Sequence, residues 1–391
     1  MNILFVSNLF PPHMIGGYEL ACQDMAYALR DKGHTCHVLT STYTDRSVVC
    51  TDAENLLVFR FLQLHTVWTD SGSSSSFASA NKLNIDIFKL IYESGDYDIV
   101  YLWNLYGLGS SILEYCNLKE IPFVLHFMDL SVMAYDSRYP LFQNLLRRTD
   151  IQYSSIKRLC TKSIFVSHYL ANHFKFANVD HIVSHPFIAY EDIGHKEEYV
   201  LLETIKCVYI GQLTSRKGIC SACEWLHRIV PKMSMGISLD IYCPSEGEFG
   251  LIKKIESKYD FVTVHIGIRK EQVMESLCQY DIGIFPTLFD EPFGIAQIEL
   301  MFAGLPVLSS GKGGSIEVAG VHNVLTYSPY IFESFEAQFI KLVHNYTSLG
   351  RNIGISAREY VKRFHSREIQ VRHCELYLKM AATKNPSLNY L

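Results

Sequence analysis

Short apolar runs alternate with amphipathic stretches along the whole chain, starting at its first residues. This alternation is typical of buried parallel strands that are joined by crossover helices, and it predicts a doubly wound α/β fold. In the first half of the chain, the predicted strands are residues 3–6, 37–40, 99–103, 123–126 and 163–166. The second half repeats the pattern, with predicted strands at residues 207–210, 239–242, 262–266, 282–285 and 307–308.

An acidic and less regular stretch at residues 190–199 interrupts this pattern. Because 391 residues exceed what one hydrophobic core usually supports, we predict two domains, residues 1–188 and 200–366, with a linker between them. The C-terminal segment, residues 367–391, begins with apolar side chains at helical spacing, and we expect it to pack back on the first domain. Residues 71–76 are rich in serine and glycine, which predicts a flexible loop.

Composition limits the class and the location of the protein. Hydrophobic residues make up 48% of the chain and charged residues 19%, which are ordinary values for a packed globular protein. A net charge of -5 provides no global basic field, which argues against nucleic acid as the main partner. The N-terminal apolar run has no basic leader and stops at Pro11 and Pro12, and the eleven cysteines lie mostly in apolar segments. These features predict a cytoplasmic protein.

The strongest chemical signal is the segment that follows the predicted strand 282–285. Glu291 lies in a predicted strand-to-helix loop, and Gly294 opens the helix. Amide groups at a helix N-terminus form a binding site for phosphate oxygens, and the amides expected here are those of Phe293, Gly294, Ile295 and Ala296. Glu299 lies about two turns further on in an otherwise apolar helix, where a carboxylate needs a partner. A ribose diol would supply one.

The spacing of Glu291 and Glu299 resembles the E-x7-E motif of retaining glycosyltransferases of family 4, which have the GT-B fold of two Rossmann-like domains facing across a cleft. The residues on either side of this segment also resemble the family. They are Asp281, Gly304-Leu305-Pro306-Val307, and Gly313-Gly314 followed by Glu317. The resemblance implies that Glu291 binds hydroxyls of the donor sugar at the cleft surface, and that Glu299 binds the ribose. It also implies an enzyme with no metal and no cofactor, whose donor substrate is a nucleotide-diphosphate sugar.

Residues 211–218 follow the first predicted strand of the second domain and resemble the G-R-L...K-G loop of the same family. By the resemblance, Lys217 lies at the cleft surface and neutralises the charge that builds on the departing diphosphate. Gln212 stands where the motif usually has arginine, so it donates hydrogen bonds without a charge, and Arg216 is a candidate to supply that charge. A solvated pair of basic residues at a helix start is the alternative interpretation of Arg216 and Lys217.

Two features of the first domain fit the same resemblance. Gly16 and Gly17 follow the first predicted strand, at the edge where α/β folds bind ligands, and the family has a glycine-rich loop here that faces the donor. A tight turn explains a glycine pair equally well. His126 ends a predicted strand with Asp129 close behind, and it resembles the catalytic histidine of the family. A hydrogen-bonded histidine of structural importance is the alternative.

Two further patterns are typical of metal sites. Cys220, Cys223 and His227 have ligand-like spacing, but no suitable fourth ligand is adjacent, so a buried helix face is favoured. Asp96 and Asp98 form a D-x-D pair that precedes its predicted strand, whereas a ligand site would follow the strand. We therefore predict that these two aspartates cap or face solvent.

Together these features predict a glycosyltransferase that moves a sugar, with retention, from a nucleotide sugar to a glycan or a lipid-linked acceptor. A nucleotide-sugar epimerase or a phosphorylase of the same fold is one alternative, and a non-catalytic nucleotide-sugar-binding protein, which Gln212 favours, is another. Basic residues beside an apolar helical face at residues 141–162 predict a peripheral contact with the inner face of the membrane. A helix with a solvated basic edge is the other interpretation of that segment.

Overall fold

Two β-sheets organise the chain, one in each of two compact units. The computed structural model describes residues 1–43, 50–53, 56–64, 74–129, 162–174, 180–189, 193–245, 247–248, 250–320 and 322–383. The first unit comprises Met1–His185 together with Glu368–Leu391, and the second comprises Pro186–Arg367. The C-terminal segment therefore belongs to the first unit.

The first unit contains an eight-stranded sheet in the order β3-β4-β2-β1-β5-β6-β7-β8. Its strands are β1 (Asn2–Ser7), β2 (Thr35–Ser41), β3 (Cys50–Ala53), β4 (Leu56–Leu62), β5 (Ile99–Asn104), β6 (Phe123–Phe127), β7 (Lys162–Phe165) and β8 (Asp180–Val183). Only β3 runs antiparallel to its neighbour among these strands. The central strands β1, β5 and β6 are buried almost throughout, which explains their continuous apolar sequences.

Five described helices accompany this sheet: α1 (Gly17–Asp31), α2 (Ser74–Ser94), α3 (Ser111–Leu118), α4 (His168–Phe174) and α12 (Arg367–Ala382). The prediction of a flexible loop at residues 71–76 is wrong for its described part, because α2 begins at Ser74. Serine competes with helical hydrogen bonds in a helix interior but is favoured near the N-terminus. The remaining residues, 71–73, lie outside the described part of the chain.

The last helix, α12, completes the first unit as predicted. The Tyr377 hydroxyl donates a hydrogen bond to the Asp180 carbonyl at 2.5 Å and accepts one from the Ser163 amide at 3.1 Å. Lys162 Nζ donates to the Met380 carbonyl at 3.1 Å, where a cation also interacts favourably with the helix C-terminus. These contacts join α12 to the adjacent strands β7 and β8.

The second unit contains a six-stranded parallel sheet in the order β11-β10-β9-β12-β13-β14. Its strands are β9 (Thr204–Ile210), β10 (Gly236–Cys243), β11 (Val262–Ile266), β12 (Ile282–Phe285), β13 (Val307–Ser309) and β14 (Leu325–Thr326). Its described α-helices are α5 (Ile219–Ile229), α6 (Leu251–Glu256), α7 (Lys270–Ser276), α8 (Ile295–Phe302), α9 (Gly314–Ala319), α10 (Phe332–His344) and α11 (Arg351–Phe364).

Residues 193–199, which fall within the predicted linker, pack on the second unit. The Lys196 amide donates to the Ala303 carbonyl at 2.9 Å, and Lys196 Nζ lies 3.0 Å from Asp281 Oδ1 in a buried ion pair. The Tyr199 hydroxyl donates to the Gly304 carbonyl at 2.7 Å. Asp281 and Gly304, two of the residues that flank the E-x7-E motif, therefore anchor this segment.

The predicted membrane contact lies in a part of the chain that the structure scarcely describes. Within the described ranges, no helix has both the length and the apolar character needed to cross a membrane. The basic and apolar stretch at residues 141–162 lies outside the described residues except for Lys162.

Candidate active site

The loop that follows β9 is fixed by backbone hydrogen bonds. Its residues 215–217 form one turn of 3₁₀ helix, which Gly218 ends with a φ of 75°. The Tyr209 hydroxyl donates to the Gln212 carbonyl at 2.7 Å, and the Leu288 amide donates to the Arg216 carbonyl at 2.9 Å. The second bond joins this loop to the loop after β12. The two loops that the sequence singled out therefore meet at the carboxyl edge of adjacent strands, where α/β folds bind ligands.

Lys217 and Glu291 form an ion pair across these two loops. Lys217 Nζ lies 2.6 Å from Glu291 Oε1, and the side chains are 21% and 5% exposed. The Phe289 ring lies beneath both basic residues of the first loop, 4.8 Å from Lys217 Nζ and 5.0 Å from Arg216 Cζ. A short, half-buried, charge-assisted hydrogen bond of this kind fixes the direction of the lysine.

The expectation that Glu291 lies at the surface is wrong in this structure, because the residue is only 4% exposed. Its backbone pairs with Gly313 as an isolated β-bridge, and its carbonyl accepts a hydrogen bond from the Gly314 amide at 2.6 Å. These bonds hold the main chain of Glu291 under the Gly313-Gly314 turn, while Lys217 covers the carboxylate.

The start of α8 lies beside Lys217. Gly294 has a φ of 106°, a conformation that favours glycine, and the helix begins at Ile295. The Gln297 and Ile298 amides donate to the Gly294 carbonyl at 3.0 and 3.3 Å, so the amides that can meet a ligand are those before Gln297. A pocket in the second unit is lined by Tyr209, Ile210, Gly211, Lys217, Phe285, Pro286, Thr287 and Ala296. Lys217 and the first turn of α8 therefore line one pocket, whereas the Phe293 ring is buried 5.7 Å from the ring of His365.

Glu299, the second acidic residue of the motif, is 5% exposed and forms an ion pair with Lys270 of α7. A ribose is the partner that the sequence predicts for this carboxylate. The chain itself supplies a partner, so burial of Glu299 does not by itself indicate a ligand. The sequence gives no signal for Lys270, because nothing in the local pattern of α7 indicates a contact with α8, the next α-helix along the chain beyond β12.

In the first unit, Gly16 is the residue that precedes α1. Its φ of -154° is an extended conformation that any residue can adopt, so the backbone angle alone does not require glycine there. The Gly16 amide donates to Glu19 Oε2 at 2.9 Å, as in a capping box, and burial raises the pKa of the Glu19 carboxyl. An acid three residues after a helix N-cap is a recognisable signal, and the sequence analysis missed it.

Arg60 supports the loop that leads to the glycine pair. Its guanidinium is buried and donates to the carbonyl of Phe10 at 3.0 Å and to that of Pro11. Arg60 lies on β4, a strand that was not predicted from the sequence although six of its seven residues are apolar. The loop between β1 and α1 is therefore held from two sides, by Glu19 and by Arg60.

His126 lies on β6 and is 4% exposed. The Tyr101 hydroxyl lies 2.9 Å from its Nδ1, and the Trp103 ring packs edge-on with its centroid 4.4 Å away. Burial lowers the pKa of His126 to about 3, so the imidazole is neutral at physiological pH. As a neutral group it offers one N–H donor and one acceptor, which suits hydrogen bonding to hydroxyl groups.

The two metal-like patterns do not form metal sites in the described part of the chain. No group of three potential ligands from His, Cys, Asp and Glu comes together there. Cys223 is fully buried in the core of the second unit. Asp98 Oδ2 accepts a hydrogen bond from the Asn2 amide at 2.7 Å, so this aspartate caps the start of β1 as the sequence analysis favoured.

Comparison with known proteins adds to this description. Residues 15–186 match the family Glycosyltransferase Family 4, and residues 204–345 match Glycosyl transferases group 1. An uncharacterized glycosyltransferase of Methanocaldococcus jannaschii is 21% identical over 341 residues, which span 81% of this chain and 82% of that protein.

Two solved structures share the fold over nearly the whole chain. Sucrose-phosphate synthase from Thermosynechococcus elongatus has a TM-score of 0.77 at 17% identity and covers 97% of this chain and 99% of its own. The Anabaena protein HepE in complex with UDP-glucose has a TM-score of 0.69 at 16% identity and covers 97% of this chain and 100% of its own. The fold that the sequence predicted is confirmed by these matches.

Proposed function

Because this chain is a glycosyltransferase with the GT-B fold, we propose that it takes its sugar from a nucleotide-diphosphate sugar and transfers it with retention of configuration. The observation that carries the proposal is the pocket in the second unit, where Lys217 and the first turn of α8 lie side by side. A cation and a helix N-terminus together favour a diphosphate. The complex of HepE with UDP-glucose supports a donor of this class.

In the proposed reaction, an acceptor hydroxyl oxygen bonds to the anomeric carbon as the bond from that carbon to the phosphate oxygen breaks. The acceptor proton leaves with the nucleoside diphosphate. Negative charge builds on the diphosphate, and Lys217 and the amides of residues 293–296 neutralise it. Lys217 exchanges its partner in this step, since it leaves Glu291 for the diphosphate. Glu291 is then available to accept hydrogen bonds from hydroxyl groups of the sugar.

The remaining candidates have binding roles in this proposal. Gln212 and Arg216 contribute to the donor site from the loop after β9, and Glu299 binds the ribose in exchange for Lys270. In the first unit, Gly16 and Gly17 give the main chain close access to the donor, and His126 binds the sugar. The proposed acceptor is a glycan or a lipid-linked intermediate, which the basic and apolar sequence of residues 141–162 supports.

Nucleotide-diphosphate sugars are expected to stabilise the protein and to be turned over. A ligand at about 100 times its dissociation constant adds about 2.7 kcal/mol to the free energy of unfolding, which a thermal-shift screen of UDP, GDP and ADP sugars detects. For each sugar that binds, nuclear magnetic resonance of the product reports the anomeric configuration. Binding without transfer to any acceptor would favour a non-catalytic binding protein, and conversion of the free donor sugar would favour an epimerase.

Transfer is expected to proceed without a divalent metal. Lys217 and the helix amides take the place of the cation that would otherwise neutralise the diphosphate. Turnover is measured after dialysis against EDTA and again with added magnesium or manganese, with the same rate expected in all three samples. Loss of activity in EDTA that either metal restores would contradict this proposal.

A further inference from the structure

Three buried side chains form a hydrogen-bonded series inside the first unit. The Tyr101 hydroxyl of β5 lies 2.9 Å from His126 Nδ1 of β6 and 3.3 Å from Cys374 Sγ of α12. Tyr101 and Cys374 are fully buried, and the tyrosine and histidine rings stack with an interplanar angle of 2°. Helix α12 is thereby linked to the candidate catalytic histidine through one hydroxyl group.

The direction of these hydrogen bonds follows from the chemistry of the three groups. The Tyr101 hydroxyl has one proton, which it donates either to His126 Nδ1 or to the sulfur of Cys374. An imidazole nitrogen is a good acceptor, whereas a thiol sulfur is a weak one. Burial raises the pKa of the Cys374 thiol to about 12, so the thiol keeps the proton that it must donate to Tyr101. The favoured series therefore runs from Cys374 to Tyr101 to His126 Nδ1.

This direction determines which imidazole nitrogen carries the proton. A neutral histidine that accepts at Nδ1 carries its proton on Nε2. His126 Nε2 is buried and has no hydrogen-bond partner among the residues that the structure describes. A buried donor without an acceptor costs about 1–3 kcal/mol, so this N–H is a binding group for an acceptor atom.

The surroundings of His126 connect it to the loop that carries the glycine pair. Trp103 packs against the imidazole, and its Nε1 donates to the Tyr18 carbonyl at 3.1 Å. Tyr18 follows Gly17 directly in the first turn of α1. The imidazole is therefore connected to the start of α1 through Trp103 and to α12 through Tyr101.

We infer that Tyr101, itself held by Cys374, is a positioning residue that fixes His126 in the tautomer with its proton on Nε2. In this tautomer, Nε2 donates a hydrogen bond to an oxygen atom of the bound donor sugar. The identity of that oxygen rests on the proposed function. The tautomer is a property of the protein without ligand, so it can be tested separately.

The first test is nuclear magnetic resonance of protein whose histidines are labelled with ¹⁵N at both ring nitrogens. The two ring-nitrogen shifts distinguish the tautomers, and His126→Gln identifies the signals of His126 by their loss. We expect the Nε2–H tautomer in the parent protein and a mixture of tautomers in Tyr101→Phe. Tyr97→Phe is the matched control, because it removes a hydroxyl that lies 2.8 Å from Nδ1 of another histidine in the same unit, His37.

The second test is kinetic. Tyr101→Phe is expected to lower kcat about tenfold, as the loss of one hydrogen bond in the transition state implies, while KM for the donor changes by less than about twofold. Cys374→Ser keeps a donor to Tyr101 and should retain parental kcat, whereas Cys374→Val should lower it. Tyr97→Phe should leave both constants unchanged. If Tyr101→Phe does not fold, the comparison of Cys374→Ser with Cys374→Val still tests the inference.

An Nδ1–H tautomer in the parent protein would overturn the inference, and so would a Tyr101→Phe variant with unchanged His126 signals and unchanged kcat. Failure of the proposed function gives a different result. In that case no nucleotide sugar is turned over, while the His126 signals still report an Nε2–H tautomer that depends on Tyr101. Such a result would uphold the positioning role of Tyr101 and refute the substrate.

Discussion

Replacement of Lys217 by methionine is expected to reduce turnover about 10³-fold. In the proposed reaction, Lys217 is the cation nearest to the charge that develops on the departing diphosphate, and removal of one such group typically costs about 10²- to 10³-fold. Methionine has a similar length but removes the cation that lies over the Phe289 ring. The measurement is kcat with saturating donor, together with the free energy of unfolding in denaturant.

The Lys217→Met variant also leaves Glu291 buried without its partner, which lowers the free energy of unfolding by about 1–3 kcal/mol. The double variant Lys217→Met/Glu291→Gln removes both charges and is expected to recover most of this stability but none of the turnover. The comparison of the single and double variants separates the effect of Lys217 on catalysis from its effect on folding stability. A folded single variant with parental turnover would show that the site has been assigned wrongly.

Lys232→Met is the matched control for that experiment. Lys232 also forms an ion pair with a glutamate, Glu336, and its Nζ lies 5.3 Å from the Phe332 ring in the same unit. Its side chain is 51% exposed, and Lys232 is not one of the residues that line the pocket. We expect parental turnover and a change in unfolding free energy below about 1 kcal/mol.

Replacement of Gly218 by alanine is expected to lower the free energy of unfolding of the second unit by about 3 kcal/mol or more. Gly218 has a φ of 75°, and a Cβ atom there would lie 1.8 Å from the Pro286 carbonyl oxygen. The backbone strain and the forced movement of the loop after β12 add together. Because Lys217 precedes this glycine, the variant that remains folded should also lose turnover. Denaturant unfolding measures the first effect and kcat the second.

Gly250→Ala separates the effect of backbone strain on the free energy of unfolding from the effect of the contact with Pro286. Gly250 has almost the same φ, 74°, but a Cβ atom there would meet no other atom within 4 Å. This variant carries the backbone strain alone, so the expected loss is about 1 kcal/mol, with parental turnover. Equal losses of stability in the two variants would mean that the contact with Pro286 is unimportant.

The sequence predicts most of the fold because the central strands are buried on both faces. Continuous apolar runs such as residues 99–103 identify these strands with little ambiguity. The strands that it misses are β3, β4, β8 and β14, of which all but β4 are edge strands of four residues or fewer. Edge position alone does not hide a strand, because β11 is an edge strand of five residues and was predicted.

The candidate site is predictable where neighbours in sequence form it, and not where distant segments meet. The loop and helix from Glu291 to Glu299 could be read from spacing alone. The pairing of Lys217 with Glu291 and of Lys270 with Glu299 depends on the order of strands, which spacing does not contain. The same holds for Tyr101 and Cys374, which are separated by 273 positions.

The placement of α12 makes the first unit dependent on a segment that is synthesised after the whole second unit. On the ribosome, the strands of this unit emerge first, and the helix that bonds to the Ser163 amide and the Asp180 carbonyl follows only after the whole second unit. During that interval the surface that later covers Leu378 and Cys374 stays open to water and to chaperones. A nascent chain that stops before Arg367 would therefore carry a folded second unit beside an unfinished first one, and proteases would recognise the product by its exposed apolar surface.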